Sequence, residues 1–295
     1  MAHTKPISAR EVIPFTKMHG IGNDYIYIDC RESVPARLPD LAREMSDRHT
    51  GVGGDGIVLI CPPTISGAHV RMRMFNNDGS EARMCGNASR CIAAWLHSRN
   101  LAPADHINLE TPSGIKVLSL NKEGGELKTV TVNMGAPILS TVEIPVSCQA
   151  EQMIEAEVNI GSDSLRVTAV SMGNPHGVVF IDTPLADDDF FRLGPLLERH
   201  PIWPDRANIE FARVVTPQLI EVRVWERGTG ETLACGTGAC ATAVAAALTG
   251  RAERSVTVRL RGGDLLIEWA GAPEAPVMMT GPAAEVFNGV YLRQN

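Results

Sequence analysis

The sequence lacks a cluster of lysines and arginines, and its 295 residues carry a net charge of −7. Proteins that bind nucleic acid usually concentrate positive charge on one surface, so nucleic acid is excluded as a partner. The longest apolar run, 239–248, is too short to cross a bilayer, and residues 1–14 show no apolar signal-peptide core. We therefore expect a soluble, cytoplasmic protein with no membrane partner.

No Cys-x-x-Cys pair occurs, and no two histidines have the spacing of metal ligands. This disfavours a zinc or iron–sulfur site, and no lysine is marked out for a pyridoxal Schiff base, so we predict neither metal nor cofactor. The seven cysteines are an odd number without a secretion signal, which argues against a disulfide framework. Five of them are interpreted as buried small side chains: Cys30, Cys61, Cys91, Cys148 and Cys240.

Cys85 and Cys235 differ from the other five because their surroundings match. Each follows a polar, glycine-containing segment, is followed directly by glycine, and precedes a run of small residues that predicts a helix. Strand and helix patterns also recur in the same order in the two halves of the chain, which indicates a duplicated domain with pseudo-twofold symmetry. A glycine and two prolines lie between residues 133 and 145, and they predict the boundary between the two domains in that segment.

A thiol at the start of a helix lies near backbone N–H groups that have no acceptor within the helix, and near the positive end of the dipole. This position is expected to lower the pKa of the thiol from about 8.5 toward neutrality. The N–H groups of Gly86, Asn87, Gly236 and Thr237 would hold a carboxylate between two helix ends. The α-carbon would then lie between the two sulfurs, an arrangement that suits removal of a proton from one face and its return to the other.

Several polar residues have ordinary structural explanations when each is taken alone. Asparagine is common at turns and strand ends because its side chain hydrogen-bonds the nearby backbone. His176, after a proline, is explained as a hydrogen-bonded polar residue. Glu226 with Arg227 resembles a solvated surface pair. The asparagines at turns or strand ends are Asn23, Asn76, Asn174 and Asn208.

Four segments resemble the motifs of diaminopimelate epimerases: 15–25, 76–90, 173–176 and 226–239. The pattern N-x-D-G-S-x4-C-G-N-A-x-R is similar to the active-site signature of that family, and the resemblance covers nearly the whole chain. It implies conversion of LL-2,6-diaminopimelate to the meso isomer in lysine and peptidoglycan precursor synthesis. It also implies an α/β (α+β) fold of two similar domains, each a mixed barrel-like sheet around a central helix, with the active site in the cleft between them.

By position, the resemblance makes Cys85 and Cys235 the acid/base thiols, tuned by His176 and Glu226 respectively. It implies one domain at 1–134, which the C-terminal strand 283–295 joins, and a second domain at 135–282. We also expect a homodimer, which is typical of such enzymes. The residues implied to bind substrate are Asn23, Asn76, Gly86, Asn87, Asn174, Asn208, Glu226, Arg227, Gly236 and Thr237. Arg227 suits the distal carboxylate and Glu226 the distal ammonium of the substrate.

Two positions depart from the family pattern. Many members carry glutamine where this chain has Gly56, and Ala88 replaces a frequent glycine. Residues 1–12 precede the usual start and have no interpretation. Two alternatives stay open: a racemase of the same fold acting on proline, hydroxyproline or histidine, and a non-catalytic ligand-binding protein whose paired thiols sense oxidation.

Overall fold

The computed structural model describes residues 11–82, 84–103, 105–161 and 163–293. These form two compact units. The first takes the chain up to Gly20, residues 24–120 and the chain from Ala283 on, and the second takes residues 21–23 and 121–282. The break therefore follows Leu120, whereas the sequence placed it after residue 134. The reason is that the strand Glu126–Asn133 pairs with Val277–Gly281 and so belongs to the second unit.

The first unit is built on a sheet with two helices, α1 (Leu38–Ser46) and α2 (Gly86–Ser98). Its strands are β1 (Glu11–Gly20), β2 (Asn23–Asp29), β3 (Gly56–Cys61), β4 (Val70–Asn76), β5 (Glu81–Ala82), β6 (His106–Thr111), β7 (Gly114–Glu123) and the C-terminal β18 (Ala284–Arg293). β18 pairs antiparallel with β1 along most of both strands, which is why the end of the chain returns to this unit.

The second unit also contains two helices, α3 (Asp187–Glu198) and α4 (Gly236–Leu248). Its strands are β8 (Glu126–Asn133), β9 (Ala156–Ile160), β10 (Asp163–Ser171), β11 (Pro175–Phe180), β12 (Asn208–Thr216), β13 (Leu219–Glu226), β14 (Gly230–Thr232), β15 (Ser255–Leu260), β16 (Gly263–Trp269) and β17 (Val277–Gly281).

The two units repeat one strand order. In the first, β2 runs parallel to β3, β3 antiparallel to β4, β4 parallel to β6, and β6 antiparallel to β7. In the second, β11, β12, β13, β15 and β16 follow each other in the same sequence of parallel and antiparallel pairs. A short hairpin strand precedes the second helix in both, β5 before α2 and β14 before α4. The predicted duplication and mixed α/β fold class are confirmed.

Helix α4 lies inside the sheet of its unit. It packs against β10, β11, β12, β13, β15, β16 and β17, and nearly every residue from Gly236 to Ala246 is buried. An alanine-rich sequence suits this position because small side chains allow strands to approach on all sides of the helix. Helix α3 packs on the outer face of the same sheet, where Phe190 and Leu197 join a core that includes Phe211.

The first unit places α1 in the equivalent outer position, where Leu41 and Met45 pack on Ile57 and Leu59 of β3. All six residues of β3 are buried, which requires cover on both faces of the strand. Among the residues that the structure describes, no helix is both long and apolar enough to cross a bilayer.

Candidate active site

Cys85 is the residue that begins helix α2. Its backbone is extended, with φ −142° and ψ 118°, and Gly86 is the first helical residue. The N–H of Ala88 donates a hydrogen bond to Cys85 Sγ at 3.4 Å, so the thiol sulfur occupies the acceptor position that serine or aspartate usually fills. The sulfur is therefore directed at the N-terminal turn of the helix, as the sequence predicted. The side chain is half-buried.

Cys235 begins helix α4 in the same way, with φ −121° and ψ 107° and Gly236 as the first helical residue. Gly238 N–H donates to Cys235 Sγ at 3.3 Å, and Thr237 Oγ1 lies 3.5 Å from the sulfur. The side chain is only 5% exposed. The two cysteines are thus equivalent in local geometry, since both cap a helix through the N–H three residues ahead.

The expected lowering of the Cys235 pKa toward neutrality is wrong. Burial raises the pKa of this thiol well above its usual range, and the negative charges of Glu226 and Glu210 raise it further. The hydrogen bonds from Thr237 and the Gly238 N–H act in the opposite direction but are smaller. The helix terminus contributes only a modest stabilisation of an anion, so desolvation with two nearby carboxylates outweighs it. Cys235 is a thiol at neutral pH.

The first turns of both helices leave backbone N–H groups directed out of the helix end, because the i−4 acceptor does not exist there. In α4 these belong to Gly236 and Thr237, and in α2 the corresponding positions are Gly86 and Asn87. The side chain of Asn87 is buried and accepts a hydrogen bond from Arg90 Nη2 at 2.9 Å. Its side chain therefore stabilises the helix start, and only its backbone is suited to hold a substrate carboxylate.

His176 is fully buried in the second unit, on β11. Its Nδ1 lies 2.7 Å from Glu210 Oε1, and its Nε2 lies 3.1 Å from Asn174 Oδ1. Glu210 lies on β12 and is also fully buried. The sequence analysis did not select Glu210. A signal was present, because an acidic residue interrupts the otherwise apolar start of that strand, Ile209 to Phe211.

Glu226 and Arg227 lie at the end of β13. Glu226 accepts a hydrogen bond from Thr232 Oγ1 at 2.5 Å, and its negative charge is one of those that raise the Cys235 pKa. Asn208 is buried, and its Oδ1 accepts the Arg227 N–H at 2.8 Å. The exposed Arg227 guanidinium donates to the Asp205 carbonyl at 2.9 Å.

Asn76 ends β4, and its Nδ2 donates to Ser80 Oγ at 3.0 Å within the turn that leads to β5. Gly56 is its direct partner on β3. A methyl group at Gly56 would lie 2.1 Å from the Phe75 carbonyl oxygen and 3.0 Å from Tyr25 Cε1. The strand backbone therefore leaves no space for a side chain at position 56.

Asn23 begins β2 after a turn in which Ile21 and Gly22 both have positive φ, 50° and 88°. The next residue, Asp24, forms ion pairs with Lys17 at 2.5 Å and with Arg48 at 2.7 Å. Burial alone would raise the pKa of Asp24, but Arg48 and Lys17 outweigh it and the pKa is lowered. This charged cluster, which sequence analysis did not identify, fixes the strand that carries Asn23.

Of the five other cysteines, four are buried as predicted and Cys148 is only half-buried. Cys30, Cys91 and Cys240 are buried, and Cys148 is half-buried against the core of the second unit. Burial raises the pKa of Cys91 to about 11. Cys61 is buried as well, but a hydrogen bond from the Cys30 thiol, with Arg71 and Arg73 nearby, lowers its pKa to about 7. Within the described ranges, no group of three His, Cys, Asp or Glu side chains is arranged to hold a metal ion.

Each unit therefore contains one half of the predicted site. The first carries Cys85 with Gly86, Asn87 and Asn76. The second brings Cys235 together with Glu226 and, through Glu210, with His176 and Asn174. Asn23, Asn208, Arg227, Gly236 and Thr237 also belong to the second unit.

Solved structures similar to this chain include those of a hydroxyproline epimerase and of phenazine biosynthesis proteins. A hydroxyproline epimerase from Agrobacterium vitis has a TM-score of 0.69 at 17% identity, covering 96% of this chain and 93% of its own. A phenazine biosynthesis protein of the PhzF family from Bacillus anthracis has a TM-score of 0.67 at 18% identity, covering 96% and 99%. At these identities the likeness establishes the fold alone, and the fold is the mixed α/β fold of those proteins.

Comparison of sequences gives the family. The model of the diaminopimelate epimerase family matches residues 15–140 and 168–286. The diaminopimelate epimerase of Pelotomaculum thermopropionicum is 51% identical over 94% of this chain and 98% of its own, and that of Acetivibrio thermocellus is 49% identical over 93% and 97%. The chain belongs to the diaminopimelate epimerase family.

Proposed function

We propose that this chain interconverts LL- and meso-2,6-diaminopimelate without a cofactor, using Cys85 and Cys235 at opposite faces of one α-carbon. The observation that carries the proposal is the pair of cysteine-capped helices, one in each of two units that share a strand order. Membership in the diaminopimelate epimerase family supports the choice of substrate. The reaction supplies meso-diaminopimelate for lysine and peptidoglycan precursor synthesis.

The proposed mechanism needs one thiolate and one thiol. The thiolate takes the α-proton, which forms its S–H bond as the Cα–H bond breaks. The thiol on the other face donates its proton to the same carbon, so the charge of the pair is unchanged. Because Cys235 is held as a thiol, we assign it as the proton donor in the resting enzyme and Cys85 as the base. His176 and Glu226 adjust the two thiols.

The helix-start N–H groups at Gly86, Asn87, Gly236 and Thr237 are proposed to hold the reacting carboxylate. Hydrogen-bond donors placed there stabilise the negative charge that moves onto the carboxylate as the proton leaves. No metal or electron-sink cofactor enters this step.

The distal end of the substrate is zwitterionic, and the remaining polar residues are proposed to bind it. Arg227 is exposed, so its guanidinium is available to the distal carboxylate, and Glu226 is the carboxylate proposed to hold the distal ammonium. Asparagine amides complete the set: Asn23, Asn76, Asn174 and Asn208. Amino acids without the distal charges would leave these groups unpaired, so they should be poor substrates.

The test is the reaction in deuterium oxide. With LL-diaminopimelate as substrate, mass spectrometry of early product should find one deuterium at the inverted α-carbon of the meso isomer, because the donating thiol exchanges with solvent. Proline and hydroxyproline serve as comparison substrates and should not racemise. Inversion without deuterium would contradict the proposal, and turnover of proline with none of diaminopimelate would favour the racemase alternative.

We further propose that the enzyme is a cytoplasmic homodimer. Free thiols required for acid/base work persist in a reducing compartment. A candidate dimer surface lies on β1 and β18, where apolar side chains face solvent next to each other, Val12 opposite Leu292 and Pro14 opposite Val290. Val12 is 60% exposed and Val290 is 57% exposed. An exposed apolar surface of this kind suits a self-complementary twofold contact.

Val290→Asp should therefore halve the molar mass measured by size-exclusion chromatography with light scattering, because it places a charge in the apolar contact. Val142→Asp is the matched control, since Val142 is 85% exposed and lies in the other unit. It should leave the mass unchanged. A wild-type protein that elutes as a monomer at micromolar concentration would rule out this dimer.

A further inference from the structure

Glu210 is a fully buried carboxylate that the proposed mechanism does not use. Its Oε1 lies 2.7 Å from His176 Nδ1, while its Oε2 is buried and has no hydrogen-bond partner among the residues that the structure describes. A buried carboxylate with one unsatisfied oxygen destabilises the fold unless a nearby charge compensates it. A buried carboxylate of this kind therefore needs an explanation in terms of an effect of its charge that an apolar residue could not supply.

The carboxylate lies directly against the first turn of α4. A methyl group at Gly238 would be 2.6 Å from Glu210 Oε1 and 3.2 Å from Cys235 Sγ. Glu210 Oε1 and Cys235 Sγ therefore both lie close to the α-carbon of Gly238, and a larger residue at position 238 would collide with the carboxylate. The two distances place Glu210 Oε1 within about 6 Å of Cys235 Sγ, and a carboxylate in that range disfavours ionisation of a thiol.

The His176 ring has an oxygen acceptor at each nitrogen, Glu210 Oε1 at Nδ1 and Asn174 Oδ1 at Nε2. A neutral imidazole donates from one nitrogen only, whereas an imidazolium donates from both. With the Asn174 amide oriented as it is, an imidazolium satisfies both contacts at once, and Glu210 would be its buried counterion. The ion pair is fully enclosed, since both side chains are 0% exposed.

We propose that Glu210 is a positioning residue that holds His176 as an imidazolium and Cys235 as a thiol. The inference rests on the proposed function, in which one thiol must be protonated and the other ionised before turnover. An imidazolium favours ionisation of a thiol, which is the role proposed for His176 toward Cys85. The carboxylate has the reverse effect on Cys235. One buried residue thereby gives the two chemically identical side chains different protonation states.

Two carboxylates face Cys235, Glu210 on β12 and Glu226 on β13. His176 on β11 contacts Glu210 and so affects Cys235 through that carboxylate. Replacement of either carboxylate should lower the pH at which Cys235 ionises. Only replacement of Glu210 should also change the protonation of the His176 ring. The two carboxylates can therefore be separated by experiment.

The first measurement is the pH dependence of iodoacetamide alkylation at Cys235, resolved by mass spectrometry of its peptide in the substrate-free enzyme. In Glu210→Gln the midpoint should fall by at least one pH unit relative to wild type. Glu198→Gln is the control, because Glu198 is also buried in this unit but accepts hydrogen bonds from Trp225 Nε1 and Gly228 N–H. It should leave the midpoint in place. An unchanged midpoint in a folded Glu210→Gln protein would overturn the proposal.

The second measurement needs no variant and uses nitrogen NMR of the histidine-labelled wild-type enzyme. Both His176 ring nitrogens should be protonated at neutral pH, and a ring with one bare nitrogen would overturn the proposal even if Glu210→Gln does not fold. In Glu226→Gln the ring should remain doubly protonated. Neither measurement uses substrate, so failure of the epimerase proposal would show in the deuterium experiment alone.

Discussion

Cys235→Ala should abolish conversion of LL- to meso-diaminopimelate, lowering kcat by about 10³-fold or more. An acid/base group placed at the reacting carbon contributes about 10²–10⁴-fold, and no second donor on that face replaces it. Cys85 would remain able to remove a proton from its own face and to return a solvent deuteron there. The variant should therefore exchange the α-hydrogen of one isomer with retained configuration.

Cys85→Ala should also lose conversion, and at neutral pH it should lose exchange too, because the remaining Cys235 is held as a thiol and cannot act as a base. Deuterium uptake by LL- and by meso-diaminopimelate, followed by NMR at each α-position, measures both outcomes. Cys91→Ala and Cys240→Ala are matched controls, because each removes a buried thiol from the same helix, α2 or α4. They should keep wild-type turnover. Normal conversion in either Cys85→Ala or Cys235→Ala would contradict the two-face assignment.

The sequence was sufficient to find both helix-capping cysteines because the signal is local. A cysteine followed by glycine and a run of small residues predicts a helix start. The motif occurs twice in matching surroundings, which indicates that it is a repeated feature of the fold. Most strands were also predictable from alternation of apolar residues. The strands β5 and β14 carry no such signal because they are only two and three residues long, and their pairing depends on the neighbouring strands β4 and β13.

The ionisation of Cys235 could not be predicted in the same way. The helix start is visible in the sequence, but burial and the carboxylates of Glu210 and Glu226 come from β12 and β13, which the fold brings to α4. Their combined effect reverses the sign of the expected pKa shift. The division of the chain after Leu120 could not be predicted for a similar reason, since β8 joins the second unit through its pairing with β17. Local patterns therefore located the reacting groups, and tertiary packing set their chemistry.

Gly56→Gln, which introduces the residue common in the family, should lower the free energy of unfolding by about 3 kcal/mol. The added Cβ would lie 2.1 Å from the Phe75 carbonyl oxygen and 3.1 Å from Asn76 Cα. Those are backbone atoms of the adjacent strand β4, so they cannot move aside as a flexible side chain would. Equilibrium unfolding in urea measures the loss.

The same collision should also reduce activity in the folded fraction. Gly56 pairs directly with Asn76, a proposed substrate ligand, so displacement of β4 moves that amide and should raise KM more than it lowers kcat. Gly56→Ala separates the effect of the Cβ from that of the longer side chain, and both variants should be destabilised. Gly67→Ala is the control, because its Cβ would meet nothing within 4 Å and only its φ of +85° is unfavourable. It should cost about 1 kcal/mol. If Gly56→Gln were as stable as wild type and bound substrate normally, β3 and β4 would have room for a side chain at position 56, and the prediction would be wrong.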